Sequence, residues 1–169
     1  NNDGYLDLFI TSVDPGGHIL YRNLRNGIFE VDKNARGFFS ALQQVKGFDA
    51  TFLDFDNDGY LDLVIAGETT NNDRGLFLYH NDGKGQYKDV SHLLPENPKS
   101  GRQIALLDYN DDGDQDLFLA GVNGGVFLLR NDGGNNNHFI KMKLVGLRAG
   151  SAKNNFFGIG AKVEMRSGD

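Results

Sequence analysis

Asp54-Phe55-Asp56-Asn57-Asp58-Gly59-Tyr60-Leu61-Asp62-Leu63-Val64-Ile65 is the stretch on which the reading turns. Its first nine residues hold four carboxylates and a glycine, and its last three are the apolar opening of a strand. The pattern occurs twice more. Upstream stands Asn1-Asn2-Asp3-Gly4-Tyr5-Leu6-Asp7-Leu8-Phe9-Ile10, and downstream Asp108-Tyr109-Asn110-Asp111-Asp112-Gly113-Asp114-Gln115-Asp116-Leu117-Phe118-Leu119. Gly4, Gly59 and Gly113 are 55 and 54 residues apart. A near-constant period of this size, with units that cannot each bury an apolar face alone, is the signature of a propeller or solenoid.

A second matching stretch follows in each unit: Ile19-Leu20-Tyr21-Arg22-Asn23, Phe77-Leu78-Tyr79-His80-Asn81 and Phe127-Leu128-Leu129-Arg130-Asn131. Each reads as a strand running into a turn. Asn26-Gly27 before Ile28-Phe29-Glu30-Val31, and Asp82-Gly83-Lys84-Gly85 before Gln86-Tyr87-Lys88-Asp89-Val90, are hairpin signals between β-rich runs. A unit is then four antiparallel strands, one propeller blade. In the middle unit the pattern predicts them near Phe48 to Leu53, Tyr60 to Ala66, Leu76 to His80 and Gln86 to Val90. Phe52-Leu53 and Leu63-Val64-Ile65 are too apolar for one-sided strands, which suits inner strands covered on both faces by neighbouring blades. The expectation is an all-β chain, a partial propeller followed by a short β module. Three units fall short of the usual four to eight blades, so flanking chain or a partner is expected to complete the ring.

Composition agrees. The 169 residues carry 23 acidic and 17 basic side chains, a formal charge of −6, with 39% apolar residues and no cysteine. Asp outnumbers Glu 19 to 4, and Asp, Asn and Gly make up 60 residues, which favours tight loops between short strands over long helices. The acidic balance argues against nucleic acid or an anionic membrane surface as partner, and the lack of cysteine excludes disulfides, thiolate metal sites and a Cys nucleophile. No apolar run approaches the roughly 18 residues of a membrane span. The opening Asn1-Asn2-Asp3-Gly4 carries neither Met nor signal peptide and is expected to be internal to a longer protein.

Oxygen ligands at loop positions 1, 3 and 5, a Gly at 6 for the sharp turn and a backbone carbonyl at 7 wrap a hard cation. In the middle copy these are Asp54, Asp56, Asp58, Gly59 and Tyr60, with Asp62 at position 9. The third copy offers Asp108, Asn110, Asp112, Asp114 and Asp116; the first offers Asn1, Asp3, Tyr5 and Asp7, without its position 1. Carboxylates so crowded repel one another without a cation, and Ca2+, with its large and flexible oxygen shell, is favoured over Mg2+. Up to three calcium sites are expected. These are not EF-hands, because position 12, where a bidentate Glu belongs, holds Ile10, Ile65 and Leu119 in strands. The position-9 Asp must close the shell.

These repeats resemble FG-GAP or VCBS repeats, the calcium-loop blades of integrin α-subunit propellers and many bacterial surface proteins. From Asn135 the chain changes character. His138 to Leu144 alternates and predicts one strand with Ile140, Met142 and Leu144 on one face, and Ala161 to Met165 predicts another. Leu144-Val145-Gly146 through Asn154, Asn155 and Gly158-Ile159-Gly160-Ala161-Lys162-Val163 resembles the opening of an ASPIC/UnbV module, with Asn154-Asn155 where the usual Asn-Arg pair stands. The expected division is residues 1–134 as three repeats, the first truncated, and 135–169 as the start of that module.

The resemblance implies a calcium-braced propeller, extracellular, at the cell surface or periplasmic, binding a protein or carbohydrate on the face opposite the calcium loops. The loops free for such a role are 11–17, 68–75 and 121–125, with 32–46 and 91–101 between blades. Phe38 and Phe39 in the longest connection are expected to fold back as a cap rather than form a binding patch.

An enzyme finds little support. Ser91 and His92 adjoin without a Gly-x-Ser-x-Gly elbow, and strand neighbours point to opposite faces. His18, His80, His92 and His138 stand alone in sequence, so turn or surface roles are expected over zinc. Gly158-Ile159-Gly160 lacks the third Gly and the helix of a dinucleotide site. Glu30, Glu68, Glu96 and Glu164 form no evident glycosidase pair. The rivals to a non-enzymatic binding or assembly role are a lyase-type, polysaccharide-acting calcium propeller and a purely structural subunit of a larger complex.

Overall fold

The structure is a computed structural model that describes residues 3–33, 42–71, 74–96, 99–122, 125–133, 140–146, 155, 157–161 and 163. The chain divides into two compact units, Asn1–His138 and Phe139–Asp169. The first is all β, built as three antiparallel sheets in chain order. Sheet one holds β1 (Leu8–Ile10), β2 (Ile19–Asn23) and β3 (Phe29–Val31). Sheet two holds β4 (Val45–Leu53), β5 (Asp62–Thr69), β6 (Leu76–Asn81) and β7 (Tyr87–Asp89). Sheet three holds β8 (Gly101–Leu107), β9 (Asp116–Gly121) and β10 (Val126–Leu129). Each strand pairs with the next in sequence, so every sheet is a meander, as a propeller blade requires.

Four strands per unit are complete in the middle blade alone; the outer blades show three each among the described residues. All four predicted strands of the middle blade shift at a boundary, β6 and β7 by one residue at an end and β4 and β5 by more. β4 starts at Val45 rather than Phe48, because a bulge between Gly47 and Asp49 lets pairing continue past the irregularity. β5 starts at Asp62 rather than Tyr60, because Tyr60 and Leu61 still belong to the acidic loop, and it runs on to Thr69. The bulge recurs between Gly101 and Gln103 in β8. Across the two blades the bulge residues meet, with the Arg102 guanidinium 3.6 Å from the Phe48 ring centre. A Cβ on Gly47 would lie 2.8 Å from the His18 ring, so only glycine lets the first blade approach there.

Alternation along the middle blade builds both cores. Leu63 and Ile65 of β5, with Phe77 and Tyr79 of β6, face the first blade and meet Leu20, Leu42 and Val45. Val64 and Ala66, with Leu76 and Leu78, face the third blade and meet Leu117 and Leu119. This is period two with both faces buried, which explains why Leu63-Val64-Ile65 carries no polar residue. The faces of the outer blades turned away from the middle one are open. Leu8, Ile10 and Val31 at one end and Phe118, Val126 and Leu128 at the other are all more than a third exposed.

In the second unit the predicted strand from His138 is not formed over the described residues Ile140 to Gly146, and Ile140, Met142 and Leu144 are exposed. Asn155 receives the Ile159 N–H at 2.6 Å and donates to the Ile159 carbonyl at 2.8 Å. Asn1, Phe38, Phe39, His138, Asn154, Glu164 and most of the expected strand Ala161 to Met165 lie outside the described residues.

Candidate metal centre

The Asp at loop position 9 is the anchor of each loop. Asp62 and Asp116 are fully buried at the first residue of β5 and β9. One Asp62 oxygen receives the Phe55 N–H at 3.1 Å and the other the Asn81 N–H at 2.8 Å. Asp116 repeats both bonds, from Tyr109 at 2.8 Å and Asn131 at 2.7 Å. In the first loop Asp7 receives the Asn23 N–H at 2.9 Å. The carboxylate thus ties the loop entrance to the end of the next strand, and the strand-end Asn completes the tie. Asn23 and Asn81 donate from their side chains to the carbonyls of Leu6 and Leu61, each at 3.1 Å. A buried charge held by backbone donors is a satisfied one.

Positions 1, 5 and 6 shape the turn. Asp54 receives the N–H groups of Asp58 at 3.0 Å and Gly59 at 2.9 Å, and Asp108 that of Gly113 at 3.2 Å. The position-5 Asp receives the N–H two residues on in all three loops: Asp3 from Tyr5, Asp58 from Tyr60 and Asp112 from Asp114. Gly4, Gly59 and Gly113 sit at φ of 82, 88 and 92°, the left-handed region that only glycine enters freely. Asn57 and Asp111 at position 4 are also left-handed, at 54 and 62°, and Asn and Asp tolerate this best among the remaining residues.

In the middle loop Asp54, Asp56 and Asp62 each offer a carboxylate oxygen, all within 4.8 Å of one another. Burial pushes Asp62 up to about 6, with the Asp56 charge adding to the rise against the bonds from Asn81 and Phe55. Burial also raises Asp54, against its bonds from Gly59 and Asp58 and with the Asp58 and Asp56 charges adding to the rise. Three hard oxygens gathered at the cost of mutual repulsion are a donor set that could hold a hard metal cation.

The outer loops keep the frame and change the filling. In the third, Asn110 donates to Asp112 at 2.6 Å, so positions 3 and 5 bind each other. Asp114 at position 7 is buried and receives the Asn57 side chain at 2.6 Å, a bridge between blades. Gln115 receives the Asp54 N–H at 3.2 Å, and Asn131 donates to the Phe55 carbonyl at 2.7 Å, so two more bonds join these loops. In the first loop the Tyr5 N–H and the Arg25 guanidinium, 3.1 Å away, hold Asp3 below the usual carboxylate range.

Residue spacing missed two groups. The strand-end asparagines stood in plain view as a repeat but read only as turn formers. His80 lies eighteen residues beyond Asp62, and only strand pairing brings its Nδ1 to 3.1 Å from Asp62 and 3.7 Å from Asp56. His18 corrects the surface expectation: it is buried, takes the Ser12 N–H on Nδ1 at 3.2 Å and donates from Nε2 to the Val45 carbonyl at 2.9 Å, a pin between blades. His92 is exposed.

The FG-GAP-like repeat matches the chain twice, over residues 1–65 and 54–119. The chain belongs to the FG-GAP-like repeat family. The matched stretches start and stop at the acidic loops, so the family's unit runs from one loop through the next and includes the interface between adjacent blades. No curated protein is similar enough to add a second comparison. FG-GAP repeats build propeller-like binding modules typical of extracellular proteins. Among the described residues no helix is long and apolar enough to cross a membrane.

Proposed function

We propose that this chain is a calcium-braced section of a propeller whose role is binding or assembly rather than catalysis. The observation behind the reading is the middle loop, where three carboxylates converge within 4.8 Å on a frame built by backbone hydrogen bonds. Asp54, Asp56, Asp58 and Asp62 would hold the ion there, with the Tyr60 carbonyl at position 7; Asp108, Asn110, Asp112, Asp114 and Asp116 would hold one in the third loop, and Asn1, Asp3, Tyr5 and Asp7 in the first. The ion offsets carboxylate repulsion and stiffens the blade entrance. The open apolar end faces support assembly with further blades, in the same chain or in a partner. Calorimetric titration of the chelator-stripped protein with Ca2+ tests the reading; an absence of binding up to millimolar ion, the weak limit of extracellular modules, removes it.

The ligand face was expected opposite the acidic loops, and one observation favours a second reading. A groove of about 630 Å3 opens on the loop side between the first and middle blades, lined by Tyr5, Asp7, Arg22, Tyr60, Lys84 and Tyr87 among others. Aromatic rings beside charged groups suit a polar chain such as an oligosaccharide. Glycan-array binding lost on Tyr60→Ala would favour the groove; binding lost only on changes in loop 68–75 would favour the opposite face.

A further inference from the structure

We propose that the middle loop carries a second, mixed donor set, Asp56, Asp58 and His80, that takes a first-row transition cation such as Zn2+ through the His80 imidazole. One ligand atom from each of these side chains lies within 4.8 Å of the other two. His80 comes from β6, a different element from the loop, and the fold delivers its Nδ1 to 3.7 Å from Asp56 Oδ2. That is near the roughly 3.4 Å edge of a tetrahedron with Zn–N and Zn–O bonds of about 2.0–2.1 Å. The ring is held edge-on against Phe55, centroids 5.7 Å apart at 81°, and the side chain is 28% exposed, so the donor is both oriented and reachable. Nδ1 donates the ring proton to Asp62 Oδ1 at 3.1 Å; for Nδ1 to bind an ion, that proton shifts to Nε2 and the freed lone pair turns from Asp62 to the ion.

The feature is confined to one blade. Arg22 and Arg130 occupy the equivalent place in the other two, and each is paired with an aspartate of its own hairpin, Asp32 and Asp132. A guanidinium repels a cation; an imidazole ligates one. Calcium takes oxygen donors, whereas imidazole shifts preference toward zinc and its neighbours. Asp56 belongs to both the oxygen set and the mixed set, so the two ions compete for the middle loop. The inference rests on reading this loop as a cation loop, and the test separates the two claims.

The full chain, stripped with chelator, is dialysed against Zn2+ and, in parallel, against Ca2+, as wild type, His80→Gln and His80→Arg. The glutamine and arginine variants are expected to lose Zn2+ affinity by at least about tenfold, the scale on which metal sites respond to altered ligation, while His80→Gln holds Ca2+ within twofold. Imidazole nitrogen spectra of the wild type give a reading independent of how the variants fold: Zn2+ is expected to shift Nδ1 of His80 and leave Nε2 protonated. Unchanged Zn2+ affinity in a folded variant, or a His80 Nδ1 unmoved by Zn2+, overturns the proposal. Zn2+ binding that depends on His80 in a protein that ignores Ca2+ supports it and removes the calcium reading instead; Ca2+ binding with Zn2+ indifferent to His80 does the reverse.

Discussion

The loops Asp54–Asp62 and Asp108–Asp116 are built on one frame and filled differently. In both, the position-9 Asp is fully buried, receives the N–H of position 2 and of the strand-end Asn, and position 1 receives the N–H of the glycine. At position 3 the middle loop has Asp56 and the third has Asn110, which turns its amide onto Asp112. At position 7 the residues are Tyr60 and Asp114, and beside the strand-end Asn they are His80 and Arg130. Positions 1, 5, 6 and 9 are therefore the common frame, and the loops differ at positions 3 and 7 and at the neighbouring basic residue.

The largest effect should come from the shared frame. Asp62→Ala and Asp116→Ala each strand two backbone N–H groups, Phe55 and Asn81 in one case, Tyr109 and Asn131 in the other. At about 1–3 kcal/mol for an unsatisfied buried donor, and toward the low end for the half-buried ones here, either change should cost about 2–4 kcal/mol, measured by urea unfolding in chelator. The two losses should agree within about 1 kcal/mol. A large loss at one site and none at the other would show that the loops do not share a frame.

Next in size is the response to calcium, where the loops should part. An ion at a hundredfold excess over its Kd adds about 2.7 kcal/mol per site, or about 5–10 °C in Tm for a chain of this size. More ligand charge raises affinity; with the Asp114 side chain tied to Asn57, the third loop offers the carboxylates of Asp108, Asp112 and Asp116 against the middle loop's Asp54, Asp56, Asp58 and Asp62. The middle loop should therefore fill at lower Ca2+, and Asp58→Ala should remove more of the low-calcium shift than Asp112→Ala. Magnesium should give a smaller shift. Equal melting in calcium, magnesium and chelator would reduce both loops to acidic turns.

Acidity sharpens the contrast within the middle loop. In chelator, Asp62 titrates near 6 in the folded chain against 3.8 unfolded, so the folded state holds its proton more firmly. Its contribution is fully present below about pH 4 and is lost as pH rises through 6. Stripped protein should therefore lose stability between pH 4 and 6 on account of this group. Calcium, which needs the carboxylate, should reverse the trend, and Asp62→Asn should flatten it in chelator. A chelated protein in which wild type and Asp62→Asn show the same pH dependence of unfolding would contradict the assignment.

Much of this architecture was legible in advance because it is periodic. Apolar runs such as Leu63-Val64-Ile65 announce strands buried on both faces, and the recurring Asp/Asn-x-Asp-Gly pattern announces the loop frame. Contacts between blades were not legible, because they join residues a full repeat apart without any pattern of their own. Asn57 reaches Asp114 across 57 residues, Asn131 reaches Phe55 across 76, and His80 meets Asp62 only after β5 and β6 pair. The expected strand from His138 is not formed over the described residues 140–146: alternation shows that a segment can be a strand, not that it pairs as one.

The smallest expected effect tests whether these two loops act as one body. Asn57 occupies position 4, which points away from the ion in a loop of this kind, and ion binding alone would make it dispensable. Its side chain nonetheless donates to Asp114 at 2.6 Å, and its φ of 54° is left-handed. Asn57→Ala should then cost about 1 kcal/mol for left-handed backbone and about 1 kcal/mol or more for a bond to a carboxylate. Asn57→Gly removes the first cost and isolates the second. A cycle of Asn57→Gly with Asp114→Ala should give a coupling of about 1 kcal/mol, the same in calcium and in chelator, because the bridge lies between blades rather than around an ion. Coupling that appears only in calcium would mean that Asn57 acts through ion binding, and zero coupling in both would mean that the two loops stand side by side without holding each other.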